Sequence, residues 1–122
     1  STQAKTLFPY TTLFRSEKLL APLGYVKKAA YPTAVCFAND EDGDGIWLES
    51  PKDGNPVVPS HVAFRAKTAD AIKAFHEAGL AAGGTDNGKP GPRPNYGPGY
   101  YAAFVHDPDG NNIEAMLNDY QA

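Results

Sequence analysis

The alternation of apolar and polar positions is clearest in the second half of the chain. Residues 61–66 alternate with a period of two, which predicts a β-strand. Val62 and Phe64 lie on one face of this strand, and His61 lies on the other. The strand therefore has an apolar face suited to packing and a second face that carries a potential ligand.

A helix with one apolar face is predicted directly after this strand. Thr68 is placed to cap its N-terminus, and Asp70 lies near the positive end of its dipole. Its apolar stripe consists of Ala69, Ile72, Phe75, Ala78 and Gly79. Gly83 and Gly84 end the helix, and His76 is predicted to lie on the protein surface. Such a helix covers one face of a β-sheet.

Three further segments complete the second half. Residues 84–99 are dense in Gly and Pro, so they predict a loop with at most a short edge strand, because proline cannot donate to a β-ladder. Residues 100–106 and 112–117 predict two paired strands, which a tight turn at 107–111 connects. The order from His61 onward is therefore β-α-β-β-β.

The first half contains a rougher form of the same order. Residues 17–23 are helical in composition and end at Gly24. Three short strands are predicted after them, at residues 25–28, 33–38 and 45–49. The repetition of helix and strands suggests an internal duplication.

Length and composition indicate one globular domain. A chain of 122 residues with 42% hydrophobic and 20% charged residues is long enough to bury one core. Its net charge of −3 and its interspersed basic residues argue against a nucleic-acid partner. The sequence shows neither an apolar run of about 20 residues nor a basic leader, so we expect no membrane partner and a cytoplasmic location. A lone cysteine, Cys36, cannot form an intrachain disulfide.

Four strings of residues together carry a family resemblance. They are His-Val-Ala-Phe at 61–64, Gly-Gly-Thr-Asp-Asn-Gly at 83–88, Tyr-Tyr-Ala-Ala-Phe-Val at 100–105 and Asp-Pro-Asp-Gly-Asn-Asn-Ile-Glu at 107–114. Across about residues 17–120 the chain resembles the vicinal oxygen chelate superfamily, which includes glyoxalases, bleomycin resistance proteins and extradiol dioxygenases. The last string is the most specific of the four.

The resemblance implies an α+β fold in a single domain, residues 1–122. Two β-α-β-β-β modules, at 17–59 and 60–122, would form a cupped mixed sheet, and the first strand of the first module is degenerate or missing. The resemblance also implies a small oxygenated molecule as substrate or ligand, and a homodimer. Two functions stay open: a metal-dependent lyase or dioxygenase, or a metal-free protein that binds and sequesters a drug or metabolite.

A divalent metal, Mn, Fe, Ni or Zn, is the cofactor that the resemblance implies. His61 and Glu114 match two of the family's metal ligands, Glu49 is a candidate for a third, and the ligand histidine of the first strand has no counterpart. Glu114 is also the candidate catalytic residue that moves a proton. The alternative is that His61 and Glu114 hydrogen-bond one another or a substrate.

Aromatic and basic residues supply candidate substrate contacts. Tyr96, Tyr100 and Tyr101 offer phenol groups, and Arg93 offers a forked donor for a carboxylate or phosphate. Strand alternation permits only one of Tyr100 and Tyr101 to face the cavity. Trp47 shares a strand face with the metal-ligand candidate two residues later, so it either walls the pocket or fills the core.

The N-terminal segment differs from the rest of the chain. Residues 6–16 read Thr-Leu-Phe-Pro-Tyr-Thr-Thr-Leu-Phe-Arg-Ser, and this run resembles one translated frame of a widely used short-read sequencing adapter. We therefore expect residues 1–16 to be non-native and the native first strand to be missing. A third functional hypothesis follows, in which the chain folds but has little activity.

Overall fold

Seven strands and one long helix organise the part of the chain that the computed structural model describes, residues 16–39, 45–50 and 58–122. Residues 16–20 are helical and continue into a 3-10 turn at Ala21–Leu23. The later elements are β1 (Tyr25–Tyr31), β2 (Ala34–Asn39), β3 (Gly45–Glu49), β4 (His61–Arg65), α1 (Ala69–Ala81), β5 (Thr85–Pro92), a 3-10 turn (Pro94–Tyr96), β6 (Tyr101–His106) and β7 (Asn112–Leu117). No helix among these residues is long and apolar enough to cross a membrane.

The strands form two sheets of different kinds. β1, β2 and β3 make a three-stranded antiparallel sheet. The second sheet has the order β4-β7-β6-β5 and is mixed, because β4 runs parallel to β7 while the other pairs are antiparallel. The predicted α+β class and the β-α-β-β-β order of the second half are confirmed. The N-terminal segment predicted to be non-native lies, except for Ser16, outside the described residues.

Helix α1 begins and ends at the residues that its sequence predicts. The Thr68 hydroxyl accepts a hydrogen bond from the Ala71 amide at 3.1 Å, which satisfies one otherwise unpaired amide of the first turn. After the helix, the Gly84 amide donates to the Gly79 carbonyl at 2.9 Å. A Cβ at Gly84 would lie 2.5 Å from Val105, so this close approach of helix end and sheet requires glycine.

One hydrophobic cluster joins both sheets and the helices. Ile72 and Phe75 of α1 are fully buried against one face of the four-stranded sheet. That face contributes Phe64, Tyr101, Ala103, Val105, Ala115 and Leu117, and the first half of the chain contributes Leu19, Leu20, Leu23, Val35 and Phe37. Burial of such side chains stabilises a fold by about 25 cal/mol per Å² of apolar surface.

The segment rich in Gly and Pro forms an eight-residue edge strand, β5, where the sequence predicts a loop with at most a short edge strand. Among the described strands, β5 lies at the edge of its sheet and pairs with β6 alone, so half of its backbone groups need no strand partner. Its register shifts between Asp86 and Gly88 and again between Gly88 and Gly91. These irregularities accommodate Pro90 within the strand, which explains why the composition argued for a loop.

His76 is buried rather than exposed on the surface. Its side chain lies between α1 and β5, where Nε2 is 2.8 Å from Oδ1 of Asp86. The same Asp86 oxygen accepts the Gly88 amide at 3.0 Å. The hydrogen bond from Gly88, and to a smaller extent the one with His76, lowers the pKa of Asp86 below 3.8. The partner of His76 is ten residues away, so the helix sequence alone did not indicate it.

Acidification should remove the contribution of this contact to stability. Because the pKa of Asp86 is lower in the folded chain than its ordinary value of 3.8, its charge stabilises the fold above pH 3.8 and the effect is lost as the pH falls through the folded-state pKa. We expect Asp86→Asn to unfold at lower urea concentration than the wild type near neutral pH, with the gap closing on acidification. Glu77→Gln, an exposed carboxylate on α1, is the matched control. A gap that is independent of pH would contradict this account.

Candidate functional site

The side chains that point away from α1 form a second face of the four-stranded sheet, which we call the open face. Strand register assigns to it His61, Ala63 and Arg65 of β4, Asn112, Glu114 and Met116 of β7, Ala102, Phe104 and His106 of β6, and Gly88 and Gly91 of β5. Period-two alternation explains this separation, since the intervening residues pack against the helix. The open face is therefore the polar side of a sheet whose other side is core.

Glu114 is the centre of the open face. Its side chain is 3% exposed, and its two carboxylate oxygens have different partners. Oε1 lies 2.8 Å from Nε2 of His61, and Oε2 accepts a hydrogen bond of 2.5 Å from the Tyr100 hydroxyl. A buried carboxylate without such partners would be strongly destabilising, so these two contacts make the position tolerable.

Tyr100 reaches Glu114 because of the residues around it. Tyr100 immediately precedes β6 and shares the parity of Ala102 and Phe104, and the small Ala102 leaves room along the strand. Burial, followed by the hydrogen bond to Glu114, raises the pKa of Tyr100 to about 12. The hydroxyl therefore keeps its proton at neutral pH and donates a hydrogen bond to the carboxylate.

Arg93 organises the irregular end of β5. Its guanidinium donates to the carbonyls of Lys89 at 2.7 Å and Gly91 at 2.8 Å, and its backbone amide donates to the Tyr100 carbonyl at 2.7 Å. The guanidinium also lies 5.6 Å from the centre of the Phe104 ring, in cation–π geometry. Part of the forked donor that the sequence suggested for a ligand is therefore used to hold the backbone.

Glycine permits this arrangement. A Cβ on Gly88 would lie 2.8 Å from the Phe104 ring and 3.3 Å from the Arg93 guanidinium, and a Cβ on Gly91 would lie 3.3 Å from the same guanidinium. Gly88 also has a φ of 152°, which L-residues rarely adopt. Side chains at these positions would push Arg93 and Phe104 off the sheet.

The other tyrosines predicted to contact a ligand occupy different environments. Tyr96 is exposed and packs edge-on against Tyr100, with ring centres 5.4 Å apart. Tyr101 lies on the helix-facing side of β6, is 4% exposed and contacts Tyr120. Alternation thus directs Tyr100 to the open face and Tyr101 into the core, so the predicted ligand contact by Tyr101 is corrected to a packing role.

Glu49 and Trp47 lie on the other sheet. Both are exposed on the face of β3 that points away from the core, where Trp47 stacks on Tyr31 at 6.2 Å.

Within residues 16–39, 45–50 and 58–122, no group of three or more His, Cys, Asp or Glu is arranged to hold a metal. His61 and Glu114 meet at 2.8 Å, but the described residues bring no third ligand to them. The donors described here do not fit a divalent cation.

Two residues of the open face were not singled out from the sequence. Arg65 alternates in phase with His61, and its Nη1 donates to the Asn118 side chain at 3.0 Å. Phe104 lies directly opposite Glu114 and places its ring 6.2 Å from that of His61. The alternation of β4 was a sufficient signal for Arg65, whereas the position of Phe104 depends on the strand register.

Comparison with known proteins gives a consistent family. Residues 17–115 match the family described as the Glyoxalase/Bleomycin resistance protein/Dioxygenase superfamily. A glyoxalase/bleomycin resistance protein from Albidiferax ferrireducens T118 is 29% identical, with a TM-score of 0.77 over 88% of each chain. No curated protein matches the chain.

Two more distant structures share the fold alone. A glyoxalase/bleomycin resistance protein/dioxygenase family enzyme from Burkholderia phytofirmans PsJN has 14% identity and a TM-score of 0.66 over 90% of each chain. A lactoylglutathione lyase from Agrobacterium tumefaciens has 18% identity and a TM-score of 0.57, covering 84% of this chain and 81% of its own. Neither identity is high enough to transfer an activity.

The contact between Tyr100 and Glu114 can be tested by titrating the tyrosines. Ultraviolet absorbance of phenolate should show one component that ionises at about pH 12, and Tyr100→Phe should remove it. Glu114→Gln should lower that pKa toward 10, because it removes the negative charge that opposes ionisation. Tyr31→Phe, on the other sheet, is the control and should keep the component. Persistence of the component in Tyr100→Phe would show that the assignment is wrong.

Proposed function

Because this chain belongs to the glyoxalase/bleomycin resistance protein/dioxygenase superfamily, we propose that it binds a small oxygenated molecule on the open face of its four-stranded sheet. Glu114 is the central polar contact in this proposal, and His61 and Tyr100 hold it in place. Binding without a metal is the form of the function that the geometry supports best.

The burial of Glu114 carries the proposal. Glu114 is 3% exposed. An apolar side chain of similar volume would stabilise the fold at least as well as a buried carboxylate, so stability does not explain the presence of Glu114. Its two donors come from different elements, His61 on β4 and Tyr100 before β6, and they fix the orientation of both oxygens. Ligand sites typically contain a small number of polar groups whose orientation is fixed in this way.

The pair of His61 and Glu114 also supplies a proton acceptor that lies beside a half-exposed imidazole. The His61 side chain is about half exposed, at 52%, while Glu114 is buried, so the imidazole links the carboxylate to solvent. A ligand hydroxyl that donates to Glu114 would find an acceptor already oriented. Glu114 could also accept a proton from a bound substrate, while His61, which donates to it through Nε2, holds the carboxylate in position.

Metal-dependent lyase or dioxygenase chemistry is the second candidate function. The convergence of His61 and Glu114 at 2.8 Å favours it, since these are two of the ligands that the family resemblance implies. The described residues do not provide a third ligand with the required geometry. We also propose that the protein is a homodimer and that it is located in the cytoplasm. Sedimentation tests the proposed homodimer.

Substitution of Glu114 tests both candidates. In thermal-shift and calorimetric titrations with a panel of small hydroxy, keto and phenolic compounds, we expect at least one compound to bind the wild type. Glu114→Gln should weaken that compound about tenfold to a hundredfold, as expected for loss of a hydrogen bond to a charged group. Glu77→Gln, on the exposed side of α1, should not change affinity.

Two results would contradict the proposal of metal-free binding. The first is equal affinity of the wild type and Glu114→Gln for every compound that binds. The second is a stoichiometric divalent metal in the purified protein that Glu114→Gln or His61→Ala removes. The latter result would support the metal-dependent enzyme instead.

A further inference from the structure

The open face carries more positive than negative charge, although the whole chain has a net charge of −3. Among the residues that strand register assigns to it, Glu114 is the carboxylate and Arg65 is a guanidinium. Arg93 adds a second guanidinium above Phe104. Within the described residues, neither arginine has a carboxylate at ion-pair distance, so the charge of each is balanced only by neutral oxygens.

The two arginines approach the Glu114 centre from opposite edges of the sheet. Arg65 lies on β4, one edge strand, and Arg93 lies over Gly88 and Gly91 of β5, the other edge strand. The two edges are about 14 Å apart, three strand spacings of about 4.8 Å. The charge of Arg65 also acts on the Tyr100 hydroxyl, which is consistent with this convergence.

The guanidinium of Arg93 keeps donors for a ligand. An arginine has five N–H donors. Nη1 donates to the carbonyls of Gly91 and Pro92, and Nη2 donates to the carbonyl of Lys89. Nε and the second hydrogen of Nη2 therefore have no partner among the described residues. Arg65, which is exposed, donates to Asn118 and to no other residue that the structure describes.

From this arrangement we infer that the ligand is a small organic carboxylate that also carries a hydroxyl group, an inference that rests on the proposed function. Its carboxylate pairs with an arginine, which prefers planar oxyanions, and its hydroxyl donates to Glu114. The Phe104 and His61 rings, 6.2 Å apart, provide an aromatic wall for the rest of the molecule. A neutral ligand would leave one guanidinium charge of the face unbalanced.

The matched probes are mandelate and mandelamide, which share a phenyl ring and a hydroxyl group and differ in charge. Calorimetric titration should show that mandelate binds at least about tenfold more tightly than mandelamide, the effect of about 1.4 kcal/mol of charge-assisted hydrogen bonding. The advantage of mandelate should decrease as salt is raised, because salt screens exposed charges.

Three variants assign the effect to the arginines. Arg65→Gln keeps a donor for Asn118 and should weaken mandelate about tenfold while leaving mandelamide unchanged. Arg93→Gln should do the same, and if it fails to fold, Arg65→Gln decides the test. Lys73→Gln removes a positive charge from the exposed side of α1 and is the control. It should bind mandelate like the wild type.

The outcomes separate this inference from the function on which it rests. Equal affinity for mandelate and mandelamide would overturn the inference of an anionic ligand and would still support binding at the open face. Preference for mandelate that Arg65→Gln leaves unchanged would also overturn it. Failure of both probes would overturn the inference, whereas the broader panel tested with Glu114→Gln decides whether the open face binds small molecules.

Discussion

The burial of one carboxylate is the constraint on which the arrangement of the open face depends. Glu114 lies on an inner strand, out of water, and each of its oxygens needs a donor. One donor, His61, lies on β4, which runs parallel to β7. The other donor, Tyr100, is the residue immediately before β6. The register of three strands must therefore be correct at once for the carboxylate to be tolerated.

The irregular edge strand, β5, also helps to position the residues around Glu114. A regular β5 with side chains at each position would exclude the Arg93 guanidinium and the Phe104 ring from the sheet surface. Glycines at 88 and 91 remove that obstacle, and the register shifts absorb the proline between them. Arg93 in turn binds the Tyr100 carbonyl through its amide, so the backbone of β5 helps to position the donor to Glu114.

Features that depend on local periodicity, such as strand faces and the start of the helix, could be predicted from the sequence. Features that depend on a partner distant in the sequence could not. Alternation placed His61 on the polar side of β4, and the Thr68 cap gave the start of α1. The burial of His76 depends on its contact with Asp86. The formation of β5 depends on the edge of β6 with which it pairs. Neither partner is visible in the local sequence pattern. Alternation predicted that one of Tyr100 and Tyr101 faces the cavity, and the register of β6 with β7 decides that it is Tyr100.

The two sheets share side-chain packing, but no hydrogen-bonded strand pair joins them in the described part of the chain. Cooperativity between them therefore rests on apolar contacts such as the edge-on pair of Tyr25 and Phe64, whose ring centres are 5.3 Å apart. Elements linked in this way tend to open as separate units. We therefore expect amide protons of β1 to β3 to exchange with solvent through openings that leave the hydrogen bonds around Glu114 closed.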